Sequence, residues 1–169
     1  MYTYVICLDM STETIPFQLI SDPISKELCA TYHLQSGDSL LKYRSQPKIL
    51  IRNTTLPGYC QNVIGDGNCV YRAVCFSIAG SDLSYMQLKQ KTALELAKNR
   101  CNFVHIPEEE IEGLIEEAQQ NGEYGEVRHL IALSVVLKIK IYVFNRSSRP
   151  PQWDTILAVL KPKCSPIQV

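Results

Sequence analysis

The sequence has no excess charge of either sign, because 17 Lys and Arg residues balance 17 Asp and Glu residues. A chain without net charge has no overall field that attracts nucleic acid or an anionic membrane, so we expect neither as a partner. The apolar runs are too short to span a bilayer, and Met1–Tyr4 lacks the basic start of a signal peptide. We therefore expect an intracellular, cytoplasmic protein.

Paired cysteine spacing is also lacking. The seven cysteines are odd in number and contain no C-x-x-C pair. This argues against a zinc site and against a disulfide framework, and it favours a reducing compartment. A chain of 169 residues with 46% hydrophobic content fits a single domain with a real core.

The stretch Gly65–Cys69 places two glycines, Asp66 and Asn68 directly before a cysteine. Such backbone turns sharply and tolerates positive φ. A helix beginning at Cys69 and stopping at Gly80 is predicted by apolar residues at helical spacing, namely Val70, Ala73, Val74 and Ile78. Free N–H groups at a helix start favour a thiolate, so Cys69 is a candidate nucleophile.

A plainer interpretation of this stretch stays open on these residues alone. Asp-Gly between apolar runs is also a hairpin signal, and cysteine is commonly buried. Arg72 interrupts the alternation that a hairpin strand would need. In the nucleophile interpretation, the backbone N–H groups of Gly67, Asn68 and Cys69 are candidates for stabilising an oxyanion.

The string GDGNCVYRA at residues 65–73 resembles the nucleophile motif of the ovarian-tumour (OTU) domain cysteine proteases, which cleave ubiquitin from lysines. A second block, from Tyr124 to Phe144, resembles a later helix and strand of that family. The resemblance covers roughly residues 57–153. It implies an α/β (α+β), papain-like fold of the OTU type, with a small central sheet flanked by helices. We divide the chain into an N-terminal segment of unknown role, packed on the domain (1–56), and an OTU-like domain (57–169).

The resemblance also implies a function for these residues. It makes Cys69 the nucleophile that forms a thioester while an isopeptide bond at the ubiquitin C-terminus is hydrolysed. It makes Asp66 a catalytic or oxyanion-loop residue, although a turn residue bonding its own backbone explains Asp66 too. The implied partner is a conjugate of ubiquitin or a ubiquitin-like protein, and no metal or organic cofactor is implied.

The catalytic histidine that the resemblance implies, after the region of Trp153, is not found. The three histidines, His33, His105 and His129, all precede Trp153. His129 lies on a predicted helix and fits the position of the base poorly. We expect either a chain that ends before its histidine strand or an inactive member that binds ubiquitin without turnover. The strand-like residues Pro166–Val169 favour the first. A third interpretation, a globular domain whose Asp-Gly turn mimics the motif, is disfavoured by the second block.

The periodicity of the remaining chain predicts further elements. Helices are predicted at about residues 85–99, 107–121 and 125–137, and strands at about residues 2–8, 48–52 and 138–144. Ser21–Pro23 is predicted to form a turn, and Cys75 to lie in the core. Lys89–Lys91 is predicted to be a solvated helix face.

Overall fold

The structure is a computed structural model that describes residues 20–37, 49–51, 54–56, 63–103, 106–139, 141–145 and 152–156. The elements, in chain order, are α1 (Asp22–Tyr32), β1 (Ile49–Ile51), β2 (Thr54–Leu56), α2 (Cys69–Ala79), α3 (Tyr85–Lys98), a 3₁₀ turn (Arg100–Asn102), α4 (Glu108–Gln119), α5 (Val127–Leu137), β3 (Ile141–Asn145) and β4 (Gln152–Ile156). None of these described helices is both long and apolar enough to cross a bilayer. The predicted strand at residues 2–8, His105 and Pro166–Val169 lie outside the described residues.

Helix α2 confirms the prediction for the chain after the glycine-rich turn. It begins at Cys69 and ends where Gly80 adopts a left-handed conformation with φ of 72°. Glycine takes this conformation without the steric cost that a Cβ atom brings, so it ends a helix readily. The helix rules out the hairpin interpretation of the Asp-Gly turn, and Cys75 lies in the core as predicted.

The other predicted helices are confirmed within a few residues. Helix α4 follows Pro107 and carries three glutamates in its first turn, where negative charge complements the helix dipole. Each helix buries the apolar stripe that its spacing predicts. The buried residues are Leu88 and Leu96 on α3, Ile111, Leu114, Ile115 and Ala118 on α4, and Leu130, Leu133 and Leu137 on α5.

Within the described residues, two hydrophobic clusters form where these stripes meet. The first joins α1, α2 and α5 with Leu88 of α3 and Ile141 of β3. The second joins α3 and α4 with Ala132 and Val135 from the other side of α5. Helix α5 therefore contributes to both clusters, and its side chains are buried on nearly all sides.

The predicted small central sheet flanked by helices is wrong for the part of the chain that the structure describes. The described strands form two separate antiparallel pairs, β1 with β2 and β3 with β4, and no sheet joins the two pairs. Alternation over residues 138–144 did locate β3 correctly, because strand formation follows local pattern. The helices bury their apolar faces mainly on one another, so the described core is built from helices.

Helix α1 occupies a segment for which only a turn was predicted. Asp22 and Pro23 form its first turn, where proline is tolerated because the N–H it lacks has no intrahelical partner. Ser25 donates its hydroxyl to the carbonyl of Ile78 at 2.6 Å, and Leu28 lies in the first cluster. Residues 20–37 thus pack on α2, while the division of the chain after residue 56 stays a prediction.

Truncating Leu28 tests whether α1 is an integral part of this core. We expect Leu28→Ala to lower the free energy of unfolding by about 2–4 kcal/mol, because a buried side chain is lost and a cavity remains. Urea unfolding followed by circular dichroism measures the change. Glu27→Ala, at an exposed neighbouring position, is the matched control and should change stability by less than about 0.5 kcal/mol. Equal stability of the two variants would contradict the packing of α1.

Candidate active site

The site is built on residues 65–68, which we call the nucleophile turn. Gly67 adopts φ of 85°, a left-handed conformation that favours glycine. The N–H of Asn68 donates to Oδ1 of Asp66 at 3.1 Å, which closes an Asx turn. The turn delivers the chain to Cys69, the half-buried first residue of α2.

A second segment, residues 120–126, packs directly against the nucleophile turn, and we call it the Gly122 loop. The N–H of Gly125 donates to the carbonyl of Gly67 at 3.2 Å. A Cβ atom built on Gly67 would lie only 1.7 Å from the carbonyl oxygen of Gly122. The two segments therefore meet backbone to backbone, and a side chain at Gly67 would force them apart.

Asp66 is held by a guanidinium group. Arg72, one turn into α2, donates from Nη2 to Oδ2 of Asp66 at 2.7 Å and from Nη1 to Oδ2 of Asp82 at 3.0 Å. Its guanidinium carbon lies 3.9 Å from the ring centroid of Tyr85. The hydrogen bonds from Arg72, followed by those from Asn68, hold the pKa of Asp66 well below its usual range. Asp66 is thus a fixed carboxylate that ties the nucleophile turn to α2.

The side chain of Asn68 is buried, and all of its hydrogen-bonding capacity is used. Oδ1 accepts from Nζ of Lys89 at 2.8 Å and from the N–H of Gly122 at 3.1 Å. Nδ2 donates to Oδ1 of Asn121 at 3.0 Å and to the carbonyl of Asp66 at 3.4 Å. An amide side chain has two donor hydrogens and two acceptor lone pairs, so no further bond is available.

Lys89 lies in the interior, and the prediction of a solvated face at Lys89–Lys91 is wrong for this residue. Lys89 is 1% exposed, whereas Gln90 and Lys91 are exposed as predicted. Its Nζ donates to Asn68, to the carbonyl of Gln120 at 2.6 Å and to that of Glu123 at 3.2 Å. Burial lowers the pKa of Lys89, and neighbouring carboxylates oppose that effect.

The thiol of Cys69 experiences opposing influences. Burial raises its pKa, and the negative charge of Asp66 acts in the same direction. The backbone N–H groups of Val70 and Cys69 lower the pKa, as expected at a helix start. The helix start therefore acts in the predicted direction, but burial outweighs it and the pKa of Cys69 is raised.

His129 is committed to other contacts. Its Nδ1 accepts from the N–H of Glu126 at 3.0 Å, and its Nε2 lies 3.4 Å from a carboxylate oxygen of Glu117. Its ring packs edge-on against Tyr71, and burial lowers the pKa of His129 to about 4. The imidazole is therefore neutral near pH 7 and serves the start of α5. His33 ends α1 at an exposed position.

The structure brings Asp66, Gly67, Asn68 and Cys69 together in one turn, and it engages His129 elsewhere. The N–H of Asn68 is already bonded to Asp66, so the assignment of oxyanion donors stays a prediction. The role of Lys89 at this site was not predicted, because the sequence shows only a cation directly after the apolar Leu88. No group of three or more His, Cys, Asp or Glu side chains within the described ranges could hold a metal ion.

Comparison with known proteins covers most of the chain, including the nucleophile turn. The sequence model of the OTU-like cysteine proteases matches residues 64–164, more than half of the chain, and the chain belongs to that family. The human (Homo sapiens) OTU domain-containing protein 1 is 27% identical over 148 residues, 86% of this chain and 28% of the relative. The mouse (Mus musculus) protein of that name is 27% identical over 108 residues, 63% of this chain and 24% of the relative. The chain thus spans about a quarter of these relatives' length, and no solved structure matches it.

Replacing Gly67 by alanine tests the contact between the nucleophile turn and the Gly122 loop. We expect a loss of about 1–3 kcal/mol in the free energy of unfolding, because positive φ is strained for alanine and its Cβ meets the Gly122 carbonyl. Gly65→Ala is the matched control, since a Cβ there meets nothing within 4 Å. Denaturant titrations of both variants would contradict the contact if they gave the same midpoint.

The buried neutral state of His129 predicts that stability depends on pH. Its pKa is 6.5 unfolded and about 4 folded, so the unfolded chain binds more protons between these values. Stability that is fully present above pH 6.5 is lost as the pH falls towards 4. Between about pH 7.5 and about pH 4.5, the free energy of unfolding of the native chain should fall by about 2 kcal/mol more than that of His129→Gln.

The measurement is urea unfolding at a series of pH values. His33→Gln, which removes an exposed histidine, is the control variant. A His129→Gln profile parallel to that of the native chain would rule out a buried neutral imidazole.

Proposed function

We propose that the chain is a thiol-dependent hydrolase that cleaves isopeptide bonds at the C-terminus of ubiquitin or of a ubiquitin-like protein. The observation that carries this proposal is Cys69, placed at the start of α2 after a turn that Arg72 holds through Asp66 and Lys89 holds through Asn68. Membership of the OTU-like cysteine protease family supports the reaction class. A catalytic thiol must stay reduced, so the proposal includes a reducing intracellular compartment.

The proposed reaction has two covalent steps. Cys69 loses its proton to a general base, and Sγ attacks the carbonyl carbon of the isopeptide bond. The C–N bond breaks, the lysine amine leaves with the returned proton, and a thioester remains on Sγ. Water, deprotonated by the base, then attacks the thioester carbon. The C–S bond breaks, the carboxylate of the modifier is released, and the thiol is regenerated.

Asp66 is proposed to hold the nucleophile turn rather than to orient an imidazole. Its carboxylate already accepts hydrogen bonds from Asn68 and Arg72. The N–H groups of Gly67, Asn68 and Cys69 remain the proposed oxyanion donors, and that of Asn68 must release Asp66 to take part. Such donors act most strongly when they are aligned before the reaction begins.

The proton acceptor is proposed to be a group other than His129. The Nδ1 atom of His129 accepts a hydrogen bond from the N–H of Glu126, and its Nε2 atom faces Glu117. Neither ring nitrogen of His129 is therefore free to take the proton of Cys69. A positioned acid–base group contributes about 10²–10⁴-fold to such reactions. Turnover requires this acid–base group in addition to a reactive thiol. Thiol reactivity and turnover are therefore measured in separate assays.

The experiment uses ubiquitin with a C-terminal thiol-reactive electrophile, and intact mass is recorded. We expect a single adduct with the native chain and none with Cys69→Ala. Cys101→Ala, which removes an exposed cysteine far along the sequence, should form the adduct at the native rate. His129→Gln should also retain the adduct.

Hydrolysis of a fluorogenic ubiquitin amide is then followed with the same proteins. Release of the fluorophore by the native chain alone supports the full reaction. An adduct without release would indicate a thiol that binds ubiquitin's C-terminus without turnover. An adduct that persists in Cys69→Ala, or none with a folded native chain, would overturn the proposal.

A further inference from the structure

We infer that Lys89 is a positioning residue, whose ammonium group holds Asn68 and thereby the backbone that leads into Cys69. This inference rests on the proposed thiol chemistry of Cys69. Lys89 lies on α3, twenty residues after Cys69, and its side chain reaches the nucleophile turn from inside the protein.

The ammonium group of Lys89 joins α3 to the nucleophile turn and to the Gly122 loop. Its acceptors are Oδ1 of Asn68 at 2.8 Å and the backbone carbonyls of Gln120 at 2.6 Å and Glu123 at 3.2 Å. An ammonium group has three donor hydrogens, so each can serve one acceptor. With 1% exposure, Lys89 has no water to replace a lost partner.

Asn68 transmits this constraint to the thiol. Its side chain has no bonding capacity left, and its main chain is joined directly to Cys69. If Lys89 is removed, Oδ1 of Asn68 keeps one donor and two carbonyls of the Gly122 loop lose theirs. We expect the turn and the loop to shift so that water or other donors satisfy these oxygens.

A shift of the turn changes reactivity through geometry. Asn68 is joined directly to Cys69, the first residue of α2, so a shift of the turn also displaces the thiol. A misplacement of about 1 Å in a catalytic group can lower the rate by about 10²-fold. A lysine that served stability alone would leave the folded protein's reactivity unchanged.

The test compares Lys89→Met with Lys91→Met. Methionine keeps most of the side-chain length and removes the charge and the donors, and Lys91 is an exposed residue of the same helix. Asn121→Ala is a second variant that removes an acceptor of Asn68 at an exposed position and changes no charge. All assays are run where circular dichroism shows each variant folded.

Two readouts are taken. With the ubiquitin electrophile, Lys89→Met should lower the maximal inactivation rate of Cys69 by about 10–100-fold, with little change in the concentration for half-maximal rate. With iodoacetamide, which requires no ubiquitin, the pH midpoint of Cys69 alkylation should rise by about 0.5–1 unit. Asn121→Ala should shift both readouts in the same direction by less, and Lys91→Met should match the native chain.

The outcomes separate this inference from the proposed function. Native rates and an unchanged alkylation profile in folded Lys89→Met would overturn the role of Lys89 and leave the function intact. If the native chain does not react with the ubiquitin electrophile, the proposed function is wrong. The iodoacetamide profiles then decide by themselves whether Lys89 positions the turn before Cys69. If Lys89→Met does not fold, Asn121→Ala decides, and a native profile in that variant overturns the inference. A shift in Lys89→Met without one in Asn121→Ala would indicate a charge effect and would also overturn it.

Discussion

The geometry around Cys69 depends on the hydrogen bonds that the buried ammonium group of Lys89 donates. Moving a positive charge out of water is costly, and here three oxygens from two loops offset that cost. These oxygens would themselves be poorly satisfied without the charge. Arg72 restrains the turn from its other side through Asp66. Two cations on neighbouring helices thus fix a segment that has no regular secondary structure of its own.

The pKa of the Cys69 thiol reflects its position between the buried turn and the start of α2. Burial and Asp66 raise the pKa of Cys69, while the N–H groups at the helix start oppose them. A thiol whose pKa is raised needs another group to take its proton before it can act as a nucleophile. Backbone donors that are aligned during folding need no rearrangement when charge develops, whereas the N–H of Asn68 must first release Asp66.

The local features of the fold were predictable because local spacing determines them. Apolar residues three and four apart located α2, α4 and α5, and alternation located β3. The absence of a central sheet from the described residues was not predictable, because strand pairing depends on partners distant in sequence. The burial of Lys89 was not predicted for a related reason. A lysine on a helix is expected to be solvated, and the partners that explain its burial, Asn68 and the Gly122 loop, are distant in sequence. Helix α1 was missed because Pro23 was interpreted as a turn residue.

The burial of Lys89 also controls the accessibility of its amine. In the folded chain the Gly122 loop covers Nζ, so no acylating reagent or enzyme can reach it. The amine becomes accessible only when that loop lifts, and the same movement releases Asn68 and the turn before Cys69. Acylation at Lys89 would remove the positive charge and leave one N–H for the three oxygens that now accept hydrogen bonds from Nζ.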